Sequence, residues 1–426
     1  MLTKLMPVKI GEGIRLHIIK TDKFKNNLVR VFFQRPLIKE EVTYNALLSM
    51  VLPRGTKSLK TTKDVAKTLE RLYGASLGSD VSKKGERNIV QFGLSVPNEK
   101  YIDDQKIFQQ GLDILNELIN DPYTENGYFS QNYVTQEKDN LAEKIEGRLN
   151  DKMKYSYDRC IEEMCKQENY RFFEYGHLED IEKINAQNLF DHYQQFIRTS
   201  PIDICVVGDI DETLIERSIR EKLKFPREKM IDIKREKIEF HPEKVNMTQE
   251  KMDINQGKLT LGYRTNIPYE SNLYQSVVLF STILGGGPNS KLFKNVREKE
   301  SLCYYIFSRI EKFKSLMMIG SGIEFENYDK TVSLINKEIE EMRQGNFEED
   351  DIESAKKYII TSIRSMTDSP NGLADYYFTQ AISDNYDSLE EVIEKIRRVN
   401  KDMIIEAGKG IVLDTIYFLR DNKGGQ

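Results

Sequence analysis

Apolar side chains recur along the chain at strand spacing and at helix spacing in turn, and the same succession is met twice. Near the start, Ile14–Ile19 and Leu28–Phe33 predict strands. Glu40–Leu52 predicts a helix stopped by Pro53, Arg54 and Gly55. Thr62–Tyr73 reads as a second helix, and Ser79–Ser82 and Asn88–Val96 as two strands. Amphipathic helices are expected at Asp103–Asn120, Ser130–Cys165 and Asn185–Phe196. The apolar run Ile202–Val207 predicts a buried strand, and Glu212–Lys222 a helix.

The order then restarts. Lys258–Tyr263 is a strand, and helices Tyr274–Leu284 and Leu292–Lys299 flank Gly285-Gly286-Gly287-Pro288. Strands Tyr304–Lys312 and Leu316–Ile323 follow, then helices at Asp329–Gln344, Glu348–Met366, Gly372–Ser383 and Glu390–Asn400, and a last strand, Asp414–Leu419. The two successions are offset by roughly 210–230 residues, a repeat of whole domains rather than of a solenoid. The fold class is therefore α+β, with two homologous domains, each a largely antiparallel sheet covered by helices. Between them Phe225–Met247 carries PREK, KREK and HPEK without sustained apolar periodicity and reads as a charged linker. The expected boundaries are 1–225, 226–247 and 248–426.

With 426 residues, 39% of them hydrophobic and 31% charged, the chain has material for more than one core and a heavily charged surface. A net charge of −5, with lysine and glutamate interspersed, argues against a nucleic-acid partner. No apolar run is long enough to cross a membrane, and charges and glycine interrupt the N-terminus before a signal-peptide core forms, so no membrane partner and a cytoplasmic location are expected. Cys160, Cys165, Cys205 and Cys303 form neither a C-x-x-C pair nor a dense framework and read as reduced structural thiols.

The histidines carry the most chemical information. They are His17, His177, His192 and His241, and no two are three or four residues apart. Imidazoles four residues apart share a helix face and can hold one zinc ion. A helix-borne di-histidine site is therefore excluded. No G-x-S-x-G elbow is present, and the glycine run lacks phosphate-loop spacing and follows a helix. No metal, no other cofactor and no catalytic residue of the chain's own is expected. Leu316–Ile323 and Asn88–Val96 could accept an extended peptide as an added strand if they lay at sheet edges, but ordinary internal strands are the stronger expectation for most of their length.

Two stretches carry a family resemblance. GGGPNSKLFKNVREKESLCYYIFSRIEKFKSLMMIGSGIE, residues 285–324, resembles the most recognisable block of the pitrilysin/insulinase-like zinc peptidases, nearest the branch of mitochondrial processing peptidases and their small bacterial relatives. TYNALLSMVLPRGTKS, residues 43–58, sits where that family carries its metal helix, and GHLEDIEKI (Gly176–Ile184) and CVVGDID also match. The likeness spans nearly the whole chain and implies two homologous domains facing each other across a central cavity. The family's zinc helix reads H-x-x-E-H. Counted back from Gly55-Thr56, its three positions are Ala46, Ser49 and Met50 here, and the distant glutamate ligand falls at Lys144, or at Glu143 in a register one residue away. An ammonium at that position would repel a divalent cation. The resemblance is thus to a member with a degenerate metal site, whose helix Glu40–Leu52 is plain core.

Arg297 and Tyr304 flank REKESLCY. In the family, an arginine and a tyrosine at this spacing reach toward the substrate peptide, where a guanidinium and a phenol can donate to a carbonyl polarised by a partner's zinc. On the residues alone, the stronger expectation is that Arg297 pairs with a carboxylate and Tyr304 packs on the sheet. Among bacterial members the pattern is similar to the zinc-less chain of a tandem pair associated with 5-aminopentanol modification of elongation factor P. The resemblance implies a non-catalytic, peptide-binding and activating subunit of a heterodimer. Its partners would be a zinc-bearing homologous peptidase subunit and a peptide or protein substrate, and the isolated chain could form a homodimer. An active metallopeptidase with an atypical metal site and a purely structural subunit are the alternatives.

Overall fold

The computed structural model describes residues 5–104 and 106–422. Strands β1 (Val8–Gly11), β2 (Ile14–Lys20) and β3 (Asn26–Pro36) lead into helices α1 (Lys39–Val51) and α2 (Thr62–Arg71). The hairpin strands β4 (Ser76–Lys84) and β5 (Arg87–Pro97) precede α3 (Ile107–Asn120), the two-residue strands β6 (Thr124–Glu125) and β7 (Tyr128–Phe129), and α4 (Gln131–Glu146). Next come α5 (Lys152–Met164), α6 (Leu178–Ile181), α7 (Ala186–Thr199), β8 (Ile202–Gly208) and α8 (Glu212–Lys222). The second succession comprises β9 (Asn246–Met252), β10 (Gly257–Arg264), α9 (Tyr274–Gly285), a π-helical turn (Phe293–Lys299), β11 (Cys303–Glu311) and β12 (Leu316–Ile323). It closes with α10 (Tyr328–Arg343), α11 (Glu349–Met366), α12 (Pro370–Ile382), α13 (Leu389–Arg398), α14 (Lys401–Lys409) and β13 (Val412–Asp421).

One expectation is corrected. Ser130–Cys165 is two helices, because Gly147–Asn150 tightens into a 3-10 turn and the Asp151 carboxylate accepts from the backbone of Met153 and Lys154, capping a new start. Leu316–Ile323 and Asn88–Val96 are internal strands: β12 lies between β11 and β10, and β5 between β3 and β4. The additional strand β9 begins inside the charged stretch. Its sequence, NMTQEKM, has no apolar face for periodicity to reveal. It is held instead by Glu250, whose carboxylate accepts from Tyr155 and Tyr417, both at 2.7 Å, and from Arg159 at 3.1 Å.

The chain forms two compact units that exchange segments. The first combines residues up to Glu146 with Phe172–Lys234 and Arg364–Leu389; the second combines Gly147–Arg171, Arg235–Ile363 and the residues from Glu390 onward. The first sheet runs β1-β2-β8-β3-β5-β4, with only β2 and β8 parallel. The second runs β11-β12-β10-β13-β9, with only β13 and β9 parallel. Read as β4-β5-β3-β8-β2, five strands of the first sheet match the second strand for strand, including the position of the parallel pair. The fold is α+β and duplicated, with α1 and α9 occupying the same place in their units.

In the first unit, Leu16, Val31, Phe33 and Ile204 pack on Leu47 and Leu48 of α1 and Leu112 and Leu115 of α3. The opposite face of the same sheet is also apolar. There Ile19, Phe32 and Val207 meet Leu373, Tyr377 and Phe378 of α12, with Phe32 and Phe378 stacked at 4.1 Å between centroids. That face also buries Asp203. Its carboxylate accepts from Arg15 at 2.8 and 2.9 Å, from His17 Nε2 at 2.8 Å and from Gln34 at 2.8 Å. Burial alone would raise this carboxyl's pKa, but the His17 hydrogen bond and the Arg15 charge outweigh burial and hold it below the usual range. Asp203 is therefore ionised, and His17 Nε2 carries the donated proton. Arg15 also donates to the Ala381 carbonyl at the end of α12 at 3.1 Å, tying that helix down.

In the second unit, Leu259, Leu261, Ile319 and Phe418 pack on Leu279, Phe280 and Ile283 of α9. On the other face, Cys160, Ile161 and Met164 of α5 cover Leu316, Met318, Tyr417 and Leu419. Beyond α5, Glu168 bridges two buried cations, Arg264 and Lys314, each at 2.6 Å, and Arg264 also pairs with Asp414 at 2.9 Å. Burial would raise the Glu168 carboxyl, but its hydrogen bonds and charge pairing with Arg264 and Lys314 lower it on balance.

Glu168→Ala is expected to destabilise the chain by about 3–5 kcal/mol, because it removes the carboxylate that bridges the buried Arg264 and Lys314. A lower urea midpoint would show this. A depressed carboxyl contributes its full stability above the unfolded-state pKa and loses it as the pH falls through the folded value. Below about pH 4.3 the wild-type chain should therefore lose stability more steeply than Glu168→Gln in a series of denaturation curves.

Candidate functional site

Helix α1 is apolar nearly all round: Val42, Ala46, Leu47, Leu48 and Val51 are buried. Ala46 is fully buried, so its methyl occupies space that close packing leaves for nothing larger. The Ser49 hydroxyl donates to the Ala46 carbonyl at 2.7 Å, and the Ser49 carbonyl accepts from Ser79 of β4 at 2.7 Å. Met50 is partly buried against the same core. Ala46, Ser49 and Met50 are thus each engaged in packing or in hydrogen bonds, one of which holds α1 to β4.

Lys144 lies on α4, which packs against α1. Its ammonium sits 3.5 Å from Asp80 of β4 and 4.1 Å from the Tyr175 ring centroid, while the Tyr175 hydroxyl donates to the same Asp80 oxygen at 2.5 Å. Glu143, one residue away, is exposed. One histidine does reach α1: His192 Nε2 is 2.8 Å from the Asn45 amide oxygen. Burial first, and then the charge of Arg35, push this imidazole's pKa down to about 3. His192 is neutral, and Nε2 is the donor to Asn45, so it acts as a tie between α7 and α1. Among the described residues no three His, Cys, Asp or Glu side chains are grouped to hold a metal ion.

The second unit presents a different picture where α9 gives way to β11. A Cβ at Gly285 would lie 2.6 Å from the Ser308 nitrogen, so only glycine lets the helix end approach the strand this closely. Ser281 and Ser308 add a 2.7 Å hydrogen bond across the same contact. After the glycine turn, Phe293–Lys299 forms a π-helical turn, with Val296 buried and Arg297 exposed. The Arg297 guanidinium lies 4.5 Å from the Phe293 ring centroid and has no carboxylate partner among the described residues.

Ser301 then adopts a left-handed φ of 53°. In β11, Cys303 faces Ile323 and Tyr305 faces Gly322, so Tyr304 is the extra residue of a β-bulge. It is 65% exposed. Its hydroxyl has no partner among the described residues. A π turn, a left-handed serine and a bulge thus fall within residues 293–304. Irregularities of this kind persist only where the surrounding structure holds them, and they concentrate at functional sites. Cys303, between the two candidates, is no nucleophile: burial pushes its thiol up to about 11, against the opposing charge of Arg297. Sequence reading singled out Arg297 and Tyr304 but not the backbone that displays them, nor Arg309 and Phe307 further along the strand.

Residues 183–359 match the family model described as the peptidase M16 inactive domain. Over 413 residues the chain is 39% identical to the probable inactive metalloprotease YmfF of Bacillus subtilis strain 168, covering 97% of each. Its fold superimposes on a conserved protein from Enterococcus faecalis V583 with a TM-score of 0.91 at 29% identity, both chains covered completely. A structure of the peptidase M16 inactive domain from Pseudomonas fluorescens gives 0.82 at 16% identity over both full chains, a likeness of fold. On this near end-to-end similarity to a probable inactive metalloprotease, and on the match to the inactive-domain model, the chain belongs to the M16 peptidase family as a non-catalytic homologue.

Proposed function

We propose that this chain is the peptide-binding and activating subunit of a heterodimeric zinc peptidase of the processing-peptidase type. It supplies Arg297 and Tyr304 to a peptide bound at the zinc of a homologous partner. The observation that carries this reading is the short irregular segment that exposes both side chains and leaves Arg297 without a carboxylate partner and the Tyr304 hydroxyl without a hydrogen-bond partner among the described residues. An exposed arginine and tyrosine gain nothing for the fold from such a display. A carbonyl that becomes an oxyanion gains two preorganised donors. Metal chemistry belongs to the partner in this reading: with Ala46, Ser49 and Met50 engaged in packing, α1 serves as scaffold.

The isolated chain should bind no stoichiometric zinc and cut no peptide; near one zinc per chain, with zinc-dependent cleavage, would overturn the proposal. Mixed with a homologue that carries H-x-x-E-H, it should restore cleavage. Arg297→Ala and Tyr304→Phe should each lower kcat of the pair by about 100-fold while its zinc content stays constant, as loss of one oxyanion donor does. Unchanged turnover in both variants would point instead to a purely structural subunit.

A further inference from the structure

Among the described residues, strand β11 is an edge of the second sheet and pairs only with β12. A groove of about 590 Å³ runs beside it, bounded across the way by α9 and the π-helical turn. Residues Tyr305–Ile310 all line it. Successive strand residues point to opposite faces, so an opening that touches every one of them follows the strand's free backbone edge. That edge presents a row of N–H and C=O groups with no strand beside them.

The side chains give the groove a sign. Arg297 and Arg309 both line it, and no Asp or Glu does. Arg309 lies 4.8 Å from the Phe307 ring centroid, as Arg297 lies over Phe293, and neither has a carboxylate partner among the described residues. Tyr358 of α11, 53% exposed, adds another ring at the rim. A guanidinium close to an aromatic ring is held by cation–π attraction, and two of them without a carboxylate partner raise the local potential for negative charge.

We propose that this groove docks an extended peptide segment bearing carboxylate side chains, which adds as a strand to β11 and places its acids on Arg309 and Arg297. Main-chain pairing would supply affinity, and the arginines selectivity. The site belongs to the second unit alone and needs neither zinc nor a partner subunit, so it goes beyond the activating role proposed above.

The test uses the full chain and fluorescein-labelled, blocked ten-residue peptides, read by fluorescence anisotropy at low salt. A peptide of alternating Glu and Val should bind about tenfold or more tightly than its Lys-Val counterpart. N-methylation at alternate Glu-Val residues, which removes ladder donors but keeps the charge, should weaken binding about tenfold or more. Arg309→Glu should abolish binding, whereas Arg217→Glu, on the exposed surface of α8, should leave it intact and so control for net charge. Circular dichroism should be unchanged in both variants. Equal binding of the Lys-Val peptide, of the N-methylated peptide or by Arg309→Glu overturns the proposal. So does a concentration-dependent dimer of the chain that excludes the probe. Arg309 is outside the pair assigned to the partner's zinc. A variant that loses the probe yet still activates the partner therefore separates the two readings.

Discussion

Each sheet of this protein is apolar on both faces, and that constraint shapes everything else. A sheet with two apolar faces needs two covering layers. In each unit one layer comes from helices of the same half of the sequence, and the other from a helix lent by the opposite half. Phe32, Ile19 and Val207 would meet water without α12, and Leu316, Met318 and Tyr417 without α5. At about 25 cal/mol per Å² of apolar surface, the exchanged helices are structural necessities. Polar ties then fix the exchanged segments in place: Arg15 holds the end of α12 while paired to Asp203, and Glu168, just after α5, gathers Arg264 and Lys314.

Loss of catalysis in this frame required no loss of architecture. A helix that carries zinc ligands must direct polar groups toward an opening, at a cost in core packing. With Ala46 and Ser49 buried and Met50 partly buried, α1 is an ordinary buried helix, and its one serine hydroxyl is absorbed by a backbone carbonyl of its own helix. The irregular backbone at residues 293–304 has no comparable structural justification. There a π turn, a left-handed serine and a bulge fall within twelve residues and display Arg297 and Tyr304 at the surface. The duplication sharpens the contrast, because α1 with β4 and α9 with β11 are equivalent helix-and-edge pairs, each joined through serine hydrogen bonds.

Local pattern carried most of the elements. Leu316–Ile323 and Glu212–Lys222 were legible to the residue, because a continuous apolar run and a capped amphipathic period are properties of short windows. What failed was non-local. The break at Gly147–Asn150 coincides with the passage of the chain from one unit to the other, and nothing in helical periodicity announces a change of packing partner. Strand β9 is not legible in the sequence because its partner β13 is 169 residues away, as the pairing of Ile416 with Met247 shows, and Tyr155, Tyr417 and Arg159, rather than an apolar face, hold it through Glu250.

The sequence by itself determined that no two imidazoles can meet on one helix, since four histidines with these spacings admit no such pair. It also determined the duplicated order of elements and drew attention to Arg297 and Tyr304. Only the tertiary structure decided that β11 is an edge while β5 and β12 are interior, that Tyr304 is the bulged residue, and that two arginines share a groove free of carboxylates. The reason is physical: which strands become neighbours, and in what register, follows from burying apolar faces between segments far apart in the chain, whereas periodicity reports only what each segment would bury.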